Sequence, residues 1–270
     1  LIYNCVVKYF IIFVIDFKKQ IFMNTVIKKI YSFLVFFKKG RNSLSQSLKS
    51  LRQKKFYPST IIDIGVGKGT KSLYINFPKS FFLLIEPIKN YEYYLKKILK
   101  KYNGEYCLAA ASYKKGLISF NFHPNHMDGS SLLKEEIGEI ADGIEIEVPT
   151  VRIDDLVREK KLKGPFLIKV DVQGAELDVL KGSEKTLKKT EVIILEVSFF
   201  KFMKGAPDFY EVICFMKEYG FVAYDILKGF YRPLDDALGQ IDIIFVKENG
   251  FLRKDHRFGS PKQLKKLRLI

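Results

Sequence analysis

Residues 166–197 read FLIKVDVQGAELDVLKGSEKTLKKTEVIILEV and predict a strand, a helix and a second strand in direct succession. FLIKV and EVIILEV are short apolar runs, as is typical of strands buried on both faces of a sheet. The turn after the first strand carries Asp171, Gln173 and Glu176. Because polar groups are costly to desolvate, their crowding at the end of a buried strand indicates a functional site.

The same alternation of strands and helices runs from Pro58 to residue 248. TIIDIG (residues 60–65), FFLLIE (81–86) and EYCLAA (105–110) predict further strands, with helical segments between them. We therefore expect an α/β protein with a doubly wound, mostly parallel sheet. Ligands of such sheets bind beyond the carboxyl ends of the strands, so the polar strand ends should converge in space.

The net charge of +16 is not spread evenly along the chain. Residues 1–57 hold twelve Lys and Arg against one acid, and residues 253–270 hold seven against one, which leaves the middle nearly neutral. A groove for a polyanion should be basic where the chemistry occurs, so nucleic acid is not the expected partner. We expect a basic extension (1–57), a catalytic domain (58–248) and a basic tail (249–270).

The extension begins with LIYNCVVKYFIIFVI, which is shorter than the roughly 20 residues that a membrane-spanning helix needs. Met23 starts a segment that reads as a basic amphipathic helix. Residues 1–22 are therefore either translated from upstream of the natural start or part of a peripheral membrane anchor. The three widely spaced cysteines, Cys5, Cys107 and Cys214, are typical of a reduced, cytoplasmic protein.

DIGVGKG, from Asp63 to Gly69, places three glycines in a turn between strand and helix. Glycine lets a backbone approach a ligand closely, and this spacing is tighter than the G-x-G-x-x-G of pyrophosphate-binding turns. Glu86 follows about 20 residues later at the end of the next strand, where a carboxylate can accept both hydroxyls of a ribose. The competing interpretation is a structural turn beside a solvated glutamate.

Taken together, these segments resemble the FkbM family of S-adenosylmethionine-dependent methyltransferases. The resemblance covers about Pro58 to Val246, and IKVDVQGAELDVLKG is its most specific part. It implies a Rossmann-like class I methyltransferase fold with S-adenosylmethionine as the cofactor. The cofactor site that it implies consists of Asp63, Gly65, Gly67, Gly69, Glu86, Pro87, Leu108 and Ala109. One departure is Lys68, which adds a cation where the family more often has Asn.

By the same resemblance, Asp171, Gln173 and Glu176 form the rim of the methyl-transfer site. A hydroxyl acceptor must lose its proton, and we expect the carboxylate of Asp171 to take it or to orient the acceptor. The alternative for Asp171 is a helix N-cap, with Glu176 in the first turn. Glu196, at the end of EVIILEV, is a further polar candidate.

His123, His126 and Asp128 lie in a loop of residues 123–143 and are weak candidates for metal ligands, because no third clear ligand is near. We expect no metal site and a mobile substrate loop instead. Ser130 and Ser131 resemble the Ser-rich stretch of the family at this place, which implies that they close over the cofactor. The expected reaction is O-methylation of a sugar or another small metabolite. The alternatives are a nicotinamide-dependent oxidoreductase on the same kind of sheet and a non-catalytic binding protein.

Overall fold

The computed structural model describes residues 41, 43–227 and 229–266. Its helices and strands run, in chain order, as α1 (Leu44–Gln53), β1 (Thr60–Ile64), α2 (Lys71–Asn76), β2 (Phe81–Ile85), α3 (Glu92–Leu99), β3 (Gly104–Cys107), β4 (Ala110–Ala111), β5 (Gly116–Phe122), β6 (Ile144–Val151), α4 (Ile153–Glu159), β7 (Phe166–Val170), α5 (Glu176–Lys181), α6 (Glu184–Leu187), β8 (Thr190–Ser198), α7 (Phe209–Glu218), β9 (Phe221–Ile226), β10 (Phe230–Tyr231), β11 (Leu238–Lys247) and α8 (Pro261–Lys266). Short 3-10 helices span Lys89–Tyr91, Met127–Gly129 and Phe251–Arg253.

The central sheet has the strand order β10-β11-β8-β7-β1-β2-β3, with β9 also paired to β11. The five strands from β8 to β3 in this order are parallel, and β11 joins β8 in the antiparallel sense. The first strand, β1, thus lies at the centre of the sheet. The strands β2 and β3 extend the sheet to one edge, and β7 and β8 extend it on the other side of β1. This order confirms the predicted Rossmann-like, doubly wound α/β fold.

Both faces of the sheet are covered, which explains why β1, β2 and β7 read as nearly continuous apolar runs. Along β1, Ile61 packs on one face among residues of α1, α2 and α3. Its neighbour Ile62 packs on the opposite face among residues of α4, α5, α6 and α7. Successive side chains of a strand point to opposite faces, so each strand contributes to both cores.

The compact unit begins at Ser43, before the boundary that we predicted at Pro58. Leu48 and Leu51 of α1 and the following Phe56 are almost fully buried in the core. Residues 43–57 therefore belong to the folded domain, because their apolar side chains complete one face of the sheet. The rest of the predicted extension, residues 1–40, lies outside the described residues, and so does the proposed membrane anchor.

Two predicted elements are divided in the structure. EYCLAA was expected to be one strand, but β3 ends at Cys107 and β4 pairs with β6 in a separate sheet of order β4-β6-β5. The predicted helix after Glu176 is split into α5 and α6 at Gly182. A β-carbon on Gly182 would lie 2.3 Å from the carbonyl oxygen of Ser112, so this position requires glycine, which is a weak helix former.

Candidate functional site

A cavity of about 500 Å³ opens at the carboxyl ends of β1, β2 and β7. Its size is within the range usual for small-molecule sites. Of the residues predicted from sequence, eight line this cavity: Gly65, Gly67, Gly69, Glu86, Pro87, Ala109, Asp171 and Gln173. Three do not line it, namely Asp63, Leu108 and Glu176. The structure thus brings most of the predicted site residues together in one cavity, and the roles of these residues stay predictions.

The three glycines of the turn after β1 all have positive φ values, but they differ in their surroundings. A β-carbon on Gly65 would lie 1.7 Å from the carbonyl oxygen of Asp171, and one on Gly69 would lie 2.7 Å from Ile98. At Gly67 the nearest atom would be Oδ1 of Asp128, at an ordinary 3.5 Å. Neighbouring protein atoms therefore explain two of the glycines, whereas Gly67, which lines the cavity, favours glycine for its left-handed backbone.

Glu86 follows β2 and is buried at the wall of the cavity. Its Oε2 accepts a hydrogen bond of 2.9 Å from the backbone N–H of Gly67, and its Oε1 accepts one of 2.9 Å from Ile88. Burial raises the pKa of this carboxyl above its ordinary value. Each carboxylate oxygen keeps a lone pair beyond its backbone partner, so Glu86 can accept ligand hydroxyls while it holds the glycine turn.

Asp63 lies behind the cavity wall rather than at it. Its side chain is fully buried and accepts hydrogen bonds from Tyr74 at 2.7 Å and from Thr70 at 3.2 Å. Burial raises its pKa, although the nearby Lys169 acts in the opposite direction. These bonds anchor the end of β1 to Thr70 and to Tyr74 of α2. The cofactor contact that the resemblance implies for Asp63 stays a prediction.

Lys169 is the central cation of the site, and sequence reasoning overlooked it as part of the apolar run FLIKV. Its side chain is 10% exposed, its Nζ donates to Oδ2 of Asp171 at 2.9 Å, and it lies opposite Asp63 in the pairing of β7 with β1. Burial works to lower the pKa of Lys169, but the charges of Asp171 and Asp63 outweigh it, so the pKa is raised. The available signal was a charged residue inside a strand otherwise expected to be buried.

Gln173 bridges two carboxyl groups. Its Nε2 donates to Oδ1 of Asp171 at 3.0 Å and to Oε2 of Glu196 at 2.8 Å. The backbone of Gln173 has a φ of 57°, uncommon for a residue with a side chain, and its carbonyl accepts a 2.7 Å bond from Ser131. A strained conformation that is held by its neighbours is typical of a functional position.

Glu196 shares the cavity wall with Asp171 and Gln173. It also accepts a 3.0 Å hydrogen bond from Gln240, and it lies opposite Asp242 in the pairing of β8 with β11. Burial, with the charge of Asp171 as the next contribution, raises its pKa to about 8.

Glu176 faces inwards. Its Oε1 accepts hydrogen bonds from the backbone N–H groups of Val172 and Gly174, at 3.2 and 3.1 Å, and burial raises its pKa to about 7. It holds the turn in shape and does not reach the cavity. The alternative that Asp171 is a helix N-cap is wrong, because the N-cap position of α5 is Ala175 and the carboxylate of Asp171 bonds to Lys169 and Gln173 instead.

The loop of residues 123–143 covers one side of the cavity. Tyr91 donates a 2.5 Å hydrogen bond to Asp128, both line the cavity, and burial together with that bond raises the pKa of Tyr91. His123 lies 3.9 Å from Glu135, and Ser130 lines the cavity. Within the described residues no group of three metal-ligating side chains occurs. In the same part of the chain, no helix is long and apolar enough to cross a membrane.

Comparison with known proteins agrees with the resemblance noted from the sequence. The sequence profile of the Methyltransferase FkbM domain matches residues 63–223, more than half of the chain. The 2-O-methyltransferase NoeI of Sinorhizobium fredii is 38% identical over 92 residues, which cover 29% of this chain and 37% of that protein. The hexuronic acid methyltransferase AglP of Haloferax volcanii is 33% identical over 86 residues, which cover 32% of this chain and 33% of that protein.

The matched segments thus span about a third of the length of these curated relatives. Among solved structures, the magnesium protoporphyrin IX methyltransferase of Synechocystis with bound cofactor has a TM-score of 0.39 and 9% identity, covering 75% of this chain and 79% of that one. A likeness at that level adds nothing to the functional argument. The family assignment rests on the sequence match over residues 63–223. The chain belongs to the FkbM family of methyltransferases.

Proposed function

We propose that this protein transfers a methyl group from S-adenosylmethionine to a hydroxyl oxygen of a sugar or another small metabolite. The observation that carries this proposal is the position of Asp171, whose carboxylate lines a cavity beside the glycine turn and Glu86. When bound, S-adenosylmethionine supplies a methyl group that is already activated on a sulfonium. The protein then has to hold the two reactants in line and to accept one proton.

The charge of the cavity supports a cationic cofactor. Four acidic side chains line it, at Glu86, Asp128, Asp171 and Glu196, against two lysines. One of these lysines, Lys169, is already paired with Asp171. A positively charged ligand offsets the desolvation that raises the pKa of Glu86 and Glu196. The residues present therefore fit the sulfonium and ammonium groups of S-adenosylmethionine.

Within this proposal, Glu86 holds the ribose hydroxyls, and Gly67, whose N–H donates to Glu86, lines the cavity beside the ligand. Asp171 accepts the proton of the substrate hydroxyl. At the same time the oxygen of that hydroxyl forms the new bond to the methyl carbon, and the bond between this carbon and the cofactor sulfur breaks. Lys169 and Gln173 hold the two oxygens of Asp171 in place, at 2.9 and 3.0 Å. A general base that is positioned in this way contributes roughly 10²–10⁴-fold to the rate.

The same charges argue against a nicotinamide cofactor. A dinucleotide carries a pyrophosphate, which needs cations or free backbone N–H groups around it. In this cavity the acidic side chains outnumber the lysines, and the N–H of Gly67 is bonded to Glu86. A non-catalytic binding protein is disfavoured because it has no need of a strained Gln173 that positions a carboxylate at the cavity wall.

The curated relatives support the choice of acceptor. One is named a 2-O-methyltransferase and the other a hexuronic acid methyltransferase, so oxygen on a sugar acid or sugar is the acceptor class to test first. We extend the same proposal to a cytoplasmic location, with peripheral membrane contact through the part of the predicted extension that precedes the folded domain, residues 1–42.

Two measurements test the proposed function. Calorimetry should show that S-adenosylmethionine binds and that NAD and NADP do not. Incubation with cofactor that carries a labelled methyl group should transfer label to hydroxyl-bearing glycans, with S-adenosylhomocysteine formed in equal amount. Tight binding of a dinucleotide with no binding of S-adenosylmethionine would reverse the assignment.

A further inference from the structure

A second cavity of about 300 Å³ lies beside the first. Its wall includes His126 and Gly129, Gln173 and Gly174, and Ser198. The first cavity, beside the glycine turn, is lined by other residues of the same segments, such as Asp128 and Glu196. The two cavities therefore meet at Gln173, which lines both of them.

A continuous set of hydrogen bonds connects residues of the two cavities. Gln173 connects Asp171 to Glu196, and Gln240 donates from the second cavity to Glu196 at 3.0 Å and to Ser198 at 3.3 Å. A group that occupies the second cavity thus lies next to the amide that holds the proposed base. The first cavity has the features of the cofactor site, so the second is placed to hold the other reactant.

The lining of the second cavity combines flat apolar surface with polar groups. Phe202 and Phe230 contribute aromatic rings, and the ring of Phe230 is 61% exposed. Ser198, Gln240 and Arg232 contribute hydroxyl, amide and guanidinium groups. The guanidinium of Arg232 is fixed by a bidentate pair with Asp235 and lies 3.7 Å from the centre of the Phe200 ring.

A pyranose sugar has the complementary character, because one face presents C–H groups and its edge presents hydroxyls. Aromatic side chains give rigid contact area for the apolar face, and a few fixed polar groups orient the hydroxyls. We propose that the second cavity is the acceptor subsite and binds a pyranose ring against Phe230, with the hydroxyl that is methylated reaching past Gln173 to Asp171 in the first cavity. This inference rests on the proposed methyl transfer and adds the place and the chemical class of its acceptor.

The test uses the full chain and four probes, the methyl glycosides of glucose, galactose, mannose and glucuronic acid. Saturation-transfer NMR is recorded with and without S-adenosylhomocysteine, on the wild type, on Phe230→Ala and on Tyr231→Ala. Phe230 and Tyr231 are adjacent and similarly exposed, at 61% and 59%, but only Phe230 lines the cavity. Tyr231→Ala is therefore a matched control for the loss of an exposed ring from β10.

At least one glycoside should bind the wild type, and Phe230→Ala should weaken it by about fivefold or more, while Tyr231→Ala leaves it unchanged. Melting temperatures of both variants should match the wild type, since both rings are exposed. Binding by none of the four probes, or equal binding by Phe230→Ala and the wild type, would overturn the acceptor subsite. Failure of S-adenosylhomocysteine to bind would instead count against the proposed function, because the probes are also measured without it.

Discussion

Gly65 lies so close to Asp171 that a β-carbon on the glycine would be 1.7 Å from the carbonyl oxygen of the aspartate. The N–H of Asp171 also donates to the carbonyl of Ile64 at 3.1 Å. The glycine turn and the proposed catalytic turn are thus packed directly on each other at the ends of β1 and β7. The position of Asp171 depends on a residue without a side chain at position 65.

Substitution of the first and second glycines of the turn should have different effects. Gly65→Ala cannot be accommodated without moving the turn at Asp171, so we expect a loss of several degrees or more in melting temperature and weaker cofactor binding. Gly67→Ala has ordinary space at 3.5 Å and should cost about 1–2 kcal/mol, for its left-handed backbone alone. Thermal unfolding of both variants measures the difference. Equal losses in both would show that the approach to Asp171 is not the limiting contact.

This contact also shows what the sequence could and could not predict. The sheet was predictable, because apolar runs such as TIIDIG and FLIKV alternate with helices, and the polar strand ends indicated where Glu86 and Asp171 would meet. The reason for Gly65 was not, since the packing of one strand end on another depends on three-dimensional neighbours. The role of Lys169 could not be predicted for the same reason. A single cation inside an apolar run can be assigned to the site only when the acidic side chains around it are known.

Glu86 should determine cofactor affinity. Glu86→Ala removes the acceptor for the ribose hydroxyls and the partner of the N–H groups of Gly67 and Ile88, so S-adenosylmethionine affinity should fall at least tenfold, about 1.4 kcal/mol. A dideoxy analogue of S-adenosylhomocysteine, which lacks both ribose hydroxyls, separates the two effects by calorimetry. The analogue should bind the wild type more weakly than the parent compound does. It should bind Glu86→Ala as tightly as the parent compound does. A continued preference of the variant for the parent compound would mean that Glu86 does not hold the ribose.

Truncation should distinguish the membrane-contact prediction from folding. A chain that starts at Ser43 keeps α1, so it should retain its melting temperature and its cofactor binding but lose sedimentation with acidic liposomes at low salt. A chain that starts at Lys55 also loses Leu48 and Leu51, which are buried, and should be strongly destabilised. Liposome binding by the full chain should weaken as salt rises. If the Ser43 chain sediments as well as the full chain, residues 1–42 are not the membrane contact.

Glu196 should make stability depend on pH. Its pKa is raised from 4.5 to about 8, so the folded state binds this proton more tightly than the unfolded state does. The contribution of Glu196 to the free energy of unfolding of the wild type therefore falls as pH rises from about 4.5 to about 8. Glu196→Gln has no such proton, and its melting temperature relative to the wild type should rise across that interval and level off above it. Glu105→Gln, at an exposed position of β3, is the control, and a difference for Glu196→Gln that stays flat with pH would contradict the raised pKa.

The last prediction concerns the pair of Lys169 and Asp171. Asp171→Asn leaves the buried ammonium of Lys169 without the carboxylate that it contacts at 2.9 Å, which should cost about 1–3 kcal/mol of stability because Asp171 is partly exposed and Asp63 lies opposite the lysine. Turnover should fall by roughly 10²-fold or more if Asp171 takes the proton. Since lost stability alone can lower activity, the single variant does not separate the two effects.

Combination with Lys169→Met separates them, because the double variant no longer buries an unpaired cation. We expect the double variant to recover most of the stability that Asp171→Asn loses, with cofactor affinity within a few-fold of the wild type. Its turnover should remain far below that of Lys169→Met alone, which keeps the carboxylate of Asp171. Melting temperature, calorimetry and methyl transfer on all three variants supply the comparison. If the double variant turns over as fast as Lys169→Met, Asp171 positions its neighbours and accepts no proton.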